Sequence, residues 1–326
     1  MRIVTLEEHV SFPGITDQIP NEIAAEHGQI SGIMQQVTRK LGDVTGERLQ
    51  SMDAAGVSTQ VLSVSGLGAD ILSPKDGPDF SRKYNDLLAE KISNHKGRFA
   101  AFAHLPTTAP AEAAKELERT VKEHNFVGAL INGMTKDKFL DDQEFAPILE
   151  KAQELDLPIY LHPGLPPKAV ADIYYSNLPK QAGMILSIAG WGWHSETALH
   201  ILRLIASGTL DKYPRLKLII GHMGEMLPVM MARCDNTLRV GGAGVNQRSV
   251  SRTLREQVHI TTSGIFTQPP LVAAIDTFGI DNILFSVDYP FSENQQAIDF
   301  LNNIKLPAAQ VEQIAHGNAD RLLKLS

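Results

Sequence analysis

The sequence holds one cysteine, Cys234, among 326 residues. A lone thiol closes no internal disulfide, so the chain is not one of the small cross-linked scaffolds, and a cysteine-based metal site is out of reach. Tryptophan is nearly as scarce, with Trp191 and Trp193 alone. Basic charge is in deficit: 30 Lys and Arg stand against 37 Asp and Glu, a formal net charge of −7. That balance argues against a nucleic-acid partner, because phosphate binding draws on a Lys/Arg surplus. No apolar run approaches the ~18 residues a membrane span requires. The opening Met-Arg-Ile-Val-Thr-Leu-Glu-Glu-His patterns as a strand rather than as a signal or transit peptide, so a soluble, cytoplasmic protein is expected. Repeats and low-complexity segments are missing, and no Gly-x-Gly-x-x-Gly follows an early strand, which removes the fingerprint of a dinucleotide-binding sheet.

What is present is ordinary globular composition, 43% hydrophobic and 21% charged, in a chain long enough to bury a large core. Short apolar runs rich in β-branched residues occur at 2–6, 60–64, 99–103, 128–131, 158–161, 217–220, 259–262 and 282–285. Helical patterns lie between them at 79–94, 110–123, 142–154, 195–206, 225–239 and 268–278. Strand–helix alternation means parallel strands joined by crossovers, and eight such strands predict an α/β fold of the (β/α)8 TIM-barrel type rather than an open doubly wound sheet. A single domain over 1–326 is expected. Two connections, about 10–46 and 163–194, are too long for simple βα loops and should cover the mouth of the barrel. The second carries Tyr174, Tyr175, Trp191 and Trp193.

Barrel sites are built at the C-terminal ends of the strands. In the first run Glu7 and His9 are two apart and share a face, while Glu8 points the other way. His162 closes the fifth run, His222 follows the sixth within Gly221-His222-Met223-Gly224-Glu225, and Asp288 follows the eighth. In a closed barrel these ends converge. Buried polar groups need partners, and a shared metal ion is the natural partner for Glu, His, His and Asp together. The remaining histidines read as surface or core groups, with His194 set apart because it follows the aromatic loop. The fourth run ends Asn132-Gly133 without the lysine that a two-metal barrel would carbamylate and bridge, so one metal is expected.

These residues resemble the amidohydrolase superfamily, and within it the metal-dependent aromatic-acid decarboxylases. That branch includes γ-resorcylate, 2,3-dihydroxybenzoate and 5-carboxyvanillate decarboxylases and aminocarboxymuconate semialdehyde decarboxylase. The likeness runs through Leu6-Glu7-Glu8-His9, Met52-Asp53-Ala54-Ala55-Gly56-Val57, Leu161-His162-Pro163, Gly221-His222-Met223-Gly224-Glu225, Phe285-Ser286-Val287-Asp288-Tyr289-Pro290 and Gly317-Asn318-Ala319-Asp320-Arg321. The resemblance implies a metal held by Glu7, His9, His162 and Asp288, with His222 beside it and Glu225 holding His222. It implies that Arg233 binds the substrate carboxylate, in some relatives across a subunit boundary, with Arg48 a second candidate for the same task, and that the protein is a dimer or tetramer.

The expected reaction is non-oxidative decarboxylation of a small hydroxylated aromatic acid, with Asp288 protonating the ring carbon and the aromatic loop around Trp191 and Trp193 near the ring, Trp191 being the substrate-binding candidate. Glu-x-His in place of the His-x-His of hydrolytic relatives adds an anionic oxygen, which suits Mn2+ as well as Zn2+. The alternatives are a metal-dependent hydrolase of a lactone, ester or amide, and a non-catalytic binding barrel. Two segments depart from the branch, Ser65-Gly66-Leu67-Gly68-Ala69-Asp70 and Gly190-Trp191-Gly192-Trp193-His194-Ser195-Glu196, and both should shape the pocket.

Overall fold

The apolar runs form parallel strands in chain order: β1 (Val4–Val10), β2 (Thr59–Val64), β3 (Phe99–Ala101), β4 (Ala103–His104), β5 (Ala129–Asn132), β6 (Ile159–His162), β7 (Leu218–Ile220), β8 (Val258–Thr261) and β9 (Ile283–Leu284). They belong to a computed structural model that describes residues 1–17, 19, 35–66 and 68–325. Strands pair parallel in the orders β1-β2-β3 and β4-β5-β6-β7-β8-β9. β3 and β4 are one extended stretch broken at Phe102. There the Phe102 N–H donates back to Leu62 O at 2.9 Å and the Ala103 N–H donates onward to Gly128 O at 2.9 Å, which joins the two sheets. Eight strand positions result, and the fold is the TIM barrel expected.

The helices expected between strands are present at Gly77–Ile92, Pro110–His124, Ala146–Leu155, Gly192–Ala206, Leu227–Thr237 and Gln268–Phe278. Pro110–His124 shows why. Ala113, Ala114, Leu117 and Thr120 recur at three- and four-residue spacing and are buried, and left-handed Asn125 (φ 57°) ends the helix by donating its N–H to Thr120 O and Val121 O. The strands are buried on both faces, as a barrel sheathed in helices requires. One apolar core runs from Ile3 to Leu323.

Closure differs from the rest of the barrel. Among the described residues no strand pairing joins β9 to β1. The seam is instead stitched by His9 N–H to Tyr289 O (2.7 Å) and by Ser286 Oγ, which accepts the N–H of Glu7 (2.7 Å) and of Leu6 (3.2 Å).

Three expectations need correction. The first strand does not stop at residue 6 but continues to Val10, with Glu7, Glu8 and His9 at 0, 0 and 1% exposure. Polar residues ended the apolar run, yet each finds a partner, so the ladder with β2 continues through Val10 opposite Val64, with one extra residue between Thr5 and Glu8. The connection 163–194 is not a plain loop, since it folds into Lys168–Tyr174 and Ala182–Ser187. The helix expected from 225 begins at Leu227, because the residues before it adopt a left-handed turn. Within 10–46, Pro13–Thr16 and Gln35–Gly42 are helical, and the intervening stretch lies largely outside the described residues. Among the described residues no helix is long and apolar enough to cross a membrane.

Candidate active site

Three histidines at the barrel mouth present the same nitrogen. His162 Nδ1 lies 2.8 Å from Pro163 O, and His222 Nδ1 lies 2.7 Å from Glu225 Oε1. A carbonyl or carboxylate only accepts, so each Nδ1 carries the proton and each Nε2 faces inward. His9 Nδ1 is turned to Ser63 Oγ at 3.4 Å. The inward atoms meet two carboxylates. His162 Nε2 is 3.4 Å and His222 Nε2 3.7 Å from Glu7 Oε1, while His9 Nε2 is 3.2 Å from Asp288 Oδ1 and His222 Nε2 3.9 Å from Asp288 Oδ2.

Glu7 divides its two oxygens between tasks. Oε2 accepts from the hydroxyls of Tyr160, Ser263 and Thr261. Oε1 is buried and has no hydrogen-bond partner, and the same holds for His9 Nε2. Orphaned buried polar atoms cost about 1–3 kcal/mol each. Two of them, beside His162 Nε2, describe a place for a cation: the ligand atoms of Glu7, His9 and His162 all lie within 4.8 Å of one another. The donor set, imidazole nitrogens with a carboxylate oxygen, suits one divalent ion, Zn2+ or Mn2+.

The charges agree with that arrangement at Glu7 and His162; at His9 burial opposes the charged form, but Asp288 and Glu7 prevail and raise its pKa, holding a proton that a cation would displace. Burial pushes the Glu7 carboxyl above the usual range, a penalty that a bound cation would relieve. Burial, with His9 and His222 nearby, drives His162 down to about 3, so it is a neutral imidazole able to ligate. Burial alone would raise Asp288, but its contacts with His222 and His9 hold it at about 2. Burial likewise opposes a charged His222, yet Glu225 and Glu7 outweigh it and raise its pKa well above the ordinary value.

His222 and Glu225 reach the mouth through an unusual turn. His222, Met223, Gly224, Glu225 and Met226 all have positive φ, between 48 and 85°. Only one of the five is glycine, and left-handed conformation costs other residues roughly 1–2 kcal/mol each. Such strain survives where surroundings impose it. Here Ser263 Oγ accepts the His222 N–H at 3.0 Å, and Gly221 O accepts the Gly224 N–H at 2.8 Å. Gly221 itself is needed for space, since a Cβ there would lie 2.6 Å from Glu7 Oε2. Asp288 is also left-handed, with φ 74°.

Glu225 serves two histidines. His194 Nδ1 is 2.6 Å from its Oε2, and the His194 and His222 rings are 4.7 Å apart. Burial pushes Glu225 up, but His222 and His194 prevail and hold it at about 2. Sequence reading set His194 apart for its place after the aromatic loop and gave it no partner. It missed Tyr160, Thr261, Ser263 and Ser63 altogether. Tyr160 had one signal, its position two residues before His162 on the same strand face.

Two of the residues expected at the substrate stand in different surroundings from the rest. Trp191 is 52% exposed, and the tryptophan nearest the ligand cluster is Trp193, whose ring centroid is 6.4 Å from that of His162. Arg48 is fully buried and committed to the protein. It donates to His9 O, to Gln60 Oε1 (3.1 Å) and to Asp43 O (3.3 Å), and it lies 4.7 Å over the Tyr289 ring. From the helix Glu47–Ala55 it braces the backbone of His9. Arg233 is exposed on Leu227–Thr237, on the stretch that also turns Val229 and Met230 outward.

Comparison with known proteins adds the lineage. The Amidohydrolase family matches residues 35–325. Decarboxylase orsB of Emericella nidulans is 38% identical over 99% of this chain and 97% of its own length. Among solved structures, 2,6-dihydroxybenzoate decarboxylase from Rhizobium superposes with a TM-score of 0.89 at 35% identity, covering 100% of this chain and 99% of that one. A dihydroxybenzoic acid decarboxylase from Polaromonas, solved with bound manganese and the inhibitor 2-nitroresorcinol, gives 0.87 at 35% identity over 99% and 97%. The histidine–carboxylate mouth and these full-length likenesses agree: the chain belongs to the amidohydrolase family, and it is a carboxy-lyase of that family.

Proposed function

We propose that the protein decarboxylates a benzoate carrying a hydroxyl ortho to the carboxylate, of the 2,6-dihydroxybenzoate type, with Glu7, His9, His162 and Asp288 holding one divalent cation. The observation that carries the reading is the convergence of Glu7 Oε1, His9 Nε2 and His162 Nε2, two of them orphaned, at the mouth of the barrel. When bound, the ion supplies the positive charge that fixes a carboxylate and an ortho oxygen.

The rest belongs to the chain. Decarboxylation of the anion consumes one proton: a C–H bond forms at the ring carbon, the C–C bond to the carboxylate breaks, CO2 leaves, and the electron pair returns to the ring. His222 is where that proton is stored, since Glu225 favours its charged form. Asp288, with Oδ2 3.9 Å from His222 Nε2, passes it to the ring carbon. Phe291, edge-on to His9 at 5.5 Å and 44% exposed, offers an aromatic wall to the ring, with Trp193 on the His162 side. Arg233, beside exposed Val229 (75%) and Met230 (48%), is assigned to a subunit contact in a homo-oligomer, where it would meet the carboxylate of a neighbouring site.

The test is CO2 release from 2,6-dihydroxybenzoate, 2,3-dihydroxybenzoate, salicylate, 5-carboxyvanillate and 4-hydroxybenzoate, each with Zn2+ or Mn2+. Turnover of one or more ortho-hydroxy acids and none of 4-hydroxybenzoate is expected. Efficient release from 4-hydroxybenzoate would overturn the bidentate reading.

A further inference from the structure

Glu8 lies outside the ligand set, on the opposite face of β1 from Glu7 and His9, and it is fully buried. A buried carboxylate is kept only where donors satisfy it. Its donors come mostly from one place. Oε1 accepts the Val287 N–H at 3.0 Å and the Ser286 hydroxyl at 3.1 Å, and Oε2 accepts the Tyr289 N–H at 3.0 Å. Gln60 Nε2 completes the set at 3.4 Å. Val287 and Tyr289 are the residues on either side of Asp288. The two oxygens of one carboxylate therefore hold the two peptide N–H groups that bracket it.

The site of this grip matters. Strand pairing is missing between β9 and β1 among the described residues, so the segment after β9, tied to the β8 side through Thr262 and Gly264, has no strand ladder to hold it from the β1 side. Asp288 has φ 74°, a left-handed conformation that aspartate adopts when its side chain or its surroundings support it, and here its carboxylate is turned away to His9 and His222. Something must impose it, and Glu8 is the group in contact with both flanking amides. Its partner Ser286 extends the same clasp to β1, accepting the N–H of Glu7 and Leu6.

We infer that Glu8 is a positioning residue: it acts through the backbone of 287–289 to aim the Asp288 carboxylate at His9, His222 and the cation. This rests on the reading of Asp288 as ligand and proton carrier given above. Glutamine cannot replace it, because an amide offers one accepting oxygen where two N–H donors need two. The contacts make Glu8 and Asp288 one unit, so their effects should not add.

The experiment is a cycle of Glu8→Gln, Asp288→Ala and the double variant, read by the Mn2+ dissociation constant and by kcat and KM on 2,6-dihydroxybenzoate. Melting temperature serves as the fold control. Glu8→Gln is expected to weaken Mn2+ and lower kcat by about tenfold or more, the scale of losing an outer support of a metal site, with KM nearly unchanged. In the Asp288→Ala background the same change should alter Mn2+ affinity less than about twofold. Equal weakening in both backgrounds, or none in either, would overturn the inference, because a purely structural plug gives additive losses. Amide hydrogen exchange over 286–291 without added metal gives an independent readout, and unchanged protection in Glu8→Gln would also refute it. Ser286→Ala, which keeps the carboxylate and removes one donor, substitutes in the cycle if Glu8→Gln does not fold. Absence of turnover in the unmutated protein would refute the substrate reading and leave the Mn2+ and exchange results to judge Glu8.

Discussion

Alanine at position 221 isolates the geometry of Glu7. Gly221 has φ −82° and ψ −168°, an extended conformation that alanine adopts freely, so the change carries no backbone penalty. The new methyl would stand 2.6 Å from Glu7 Oε2, 3.1 Å from Oε1 and 3.1 Å from Ser263 Oγ, where ordinary contact begins at 3.4 Å. A carboxylate at the end of a loose side chain would swing aside. This one is fully buried and gripped by the hydroxyls of Tyr160, Ser263 and Thr261. It must retreat by roughly 0.8 Å in a close-packed interior, whereas metal coordination tolerates departures of about 0.2 Å.

The expected cost is about 10–100-fold in Mn2+ affinity, or about 1.4–2.8 kcal/mol, with turnover at limiting metal falling in step. Overpacking should add a stability loss of about 1–3 kcal/mol. Gly264→Ala is the control. Its Cβ would meet His222 Cδ2 at 3.5 Å and Asp288 Oδ2 at 3.6 Å, both ordinary contacts, but at φ +66°. It should cost about 1–2 kcal/mol of stability through the backbone and leave Mn2+ affinity within a few-fold. The assay is Mn2+ titration followed by electron paramagnetic resonance, beside thermal melts with and without the ion. Gly221→Ala binding Mn2+ as tightly as the unmutated protein would refute the placement of Glu7 in the ligand set.

Asp288→Asn keeps a ligating oxygen and removes the carboxylate that relays the proton from His222, so bound metal should fall modestly while CO2 release falls about 10²–10⁴-fold; His162→Ala should lose metal and turnover together, as metal analysis beside CO2 release will show. Tyr160→Phe removes one hydroxyl from Glu7 Oε2 and should weaken Mn2+ about tenfold in the same titration, with little change in fold by circular dichroism. Arg48→Met strands His9 O and Gln60 Oε1 and should cost about 2–4 kcal/mol in urea denaturation with KM within twofold; a large rise in KM at normal stability would return Arg48 to the substrate.

The residues that meet at the mouth, the proposed ligands with His222 beside them, could be read because apolar runs stop at them. Glu7 and His9 break the first run, His162 ends the fifth, and His222 and Asp288 follow the sixth and eighth, so period-two alternation and barrel convergence together brought them to one mouth. The groups that aim those ligands were not legible. Tyr160 and Thr261 are ordinary strand residues by propensity, Ser263 lies in the turn just after β8, and their shared partner Glu7 is more than 150 positions away in sequence. The partners of Arg48, His9 O, Gln60 Oε1 and Asp43 O, follow no local pattern that could be read from sequence. The turn over His222–Met226 defeats local rules outright, since they reserve left-handed backbone for glycine and asparagine. Glu8 was placed correctly on the far face of β1, but the partners waiting there come from the opposite end of the chain.

That last contact also orders events in time. Glu8 and Tyr289 are 281 positions apart, and the proposed ligand set draws on Glu7 and Asp288 at the same separation. Closing so long a loop is entropically slow, and contacts of this span form after the local βα units are in place. A chain emerging during synthesis presents Glu7, His9 and His162 well before the segment that completes them. High-affinity metal uptake is thus a property of the closed barrel, acquired at its last seam, and an ion that binds only that state stabilises the whole fold in proportion to RT ln(1 + [metal]/Kd). Chelation should accordingly lower the melting temperature of the entire barrel as one cooperative unit, not loosen its mouth alone.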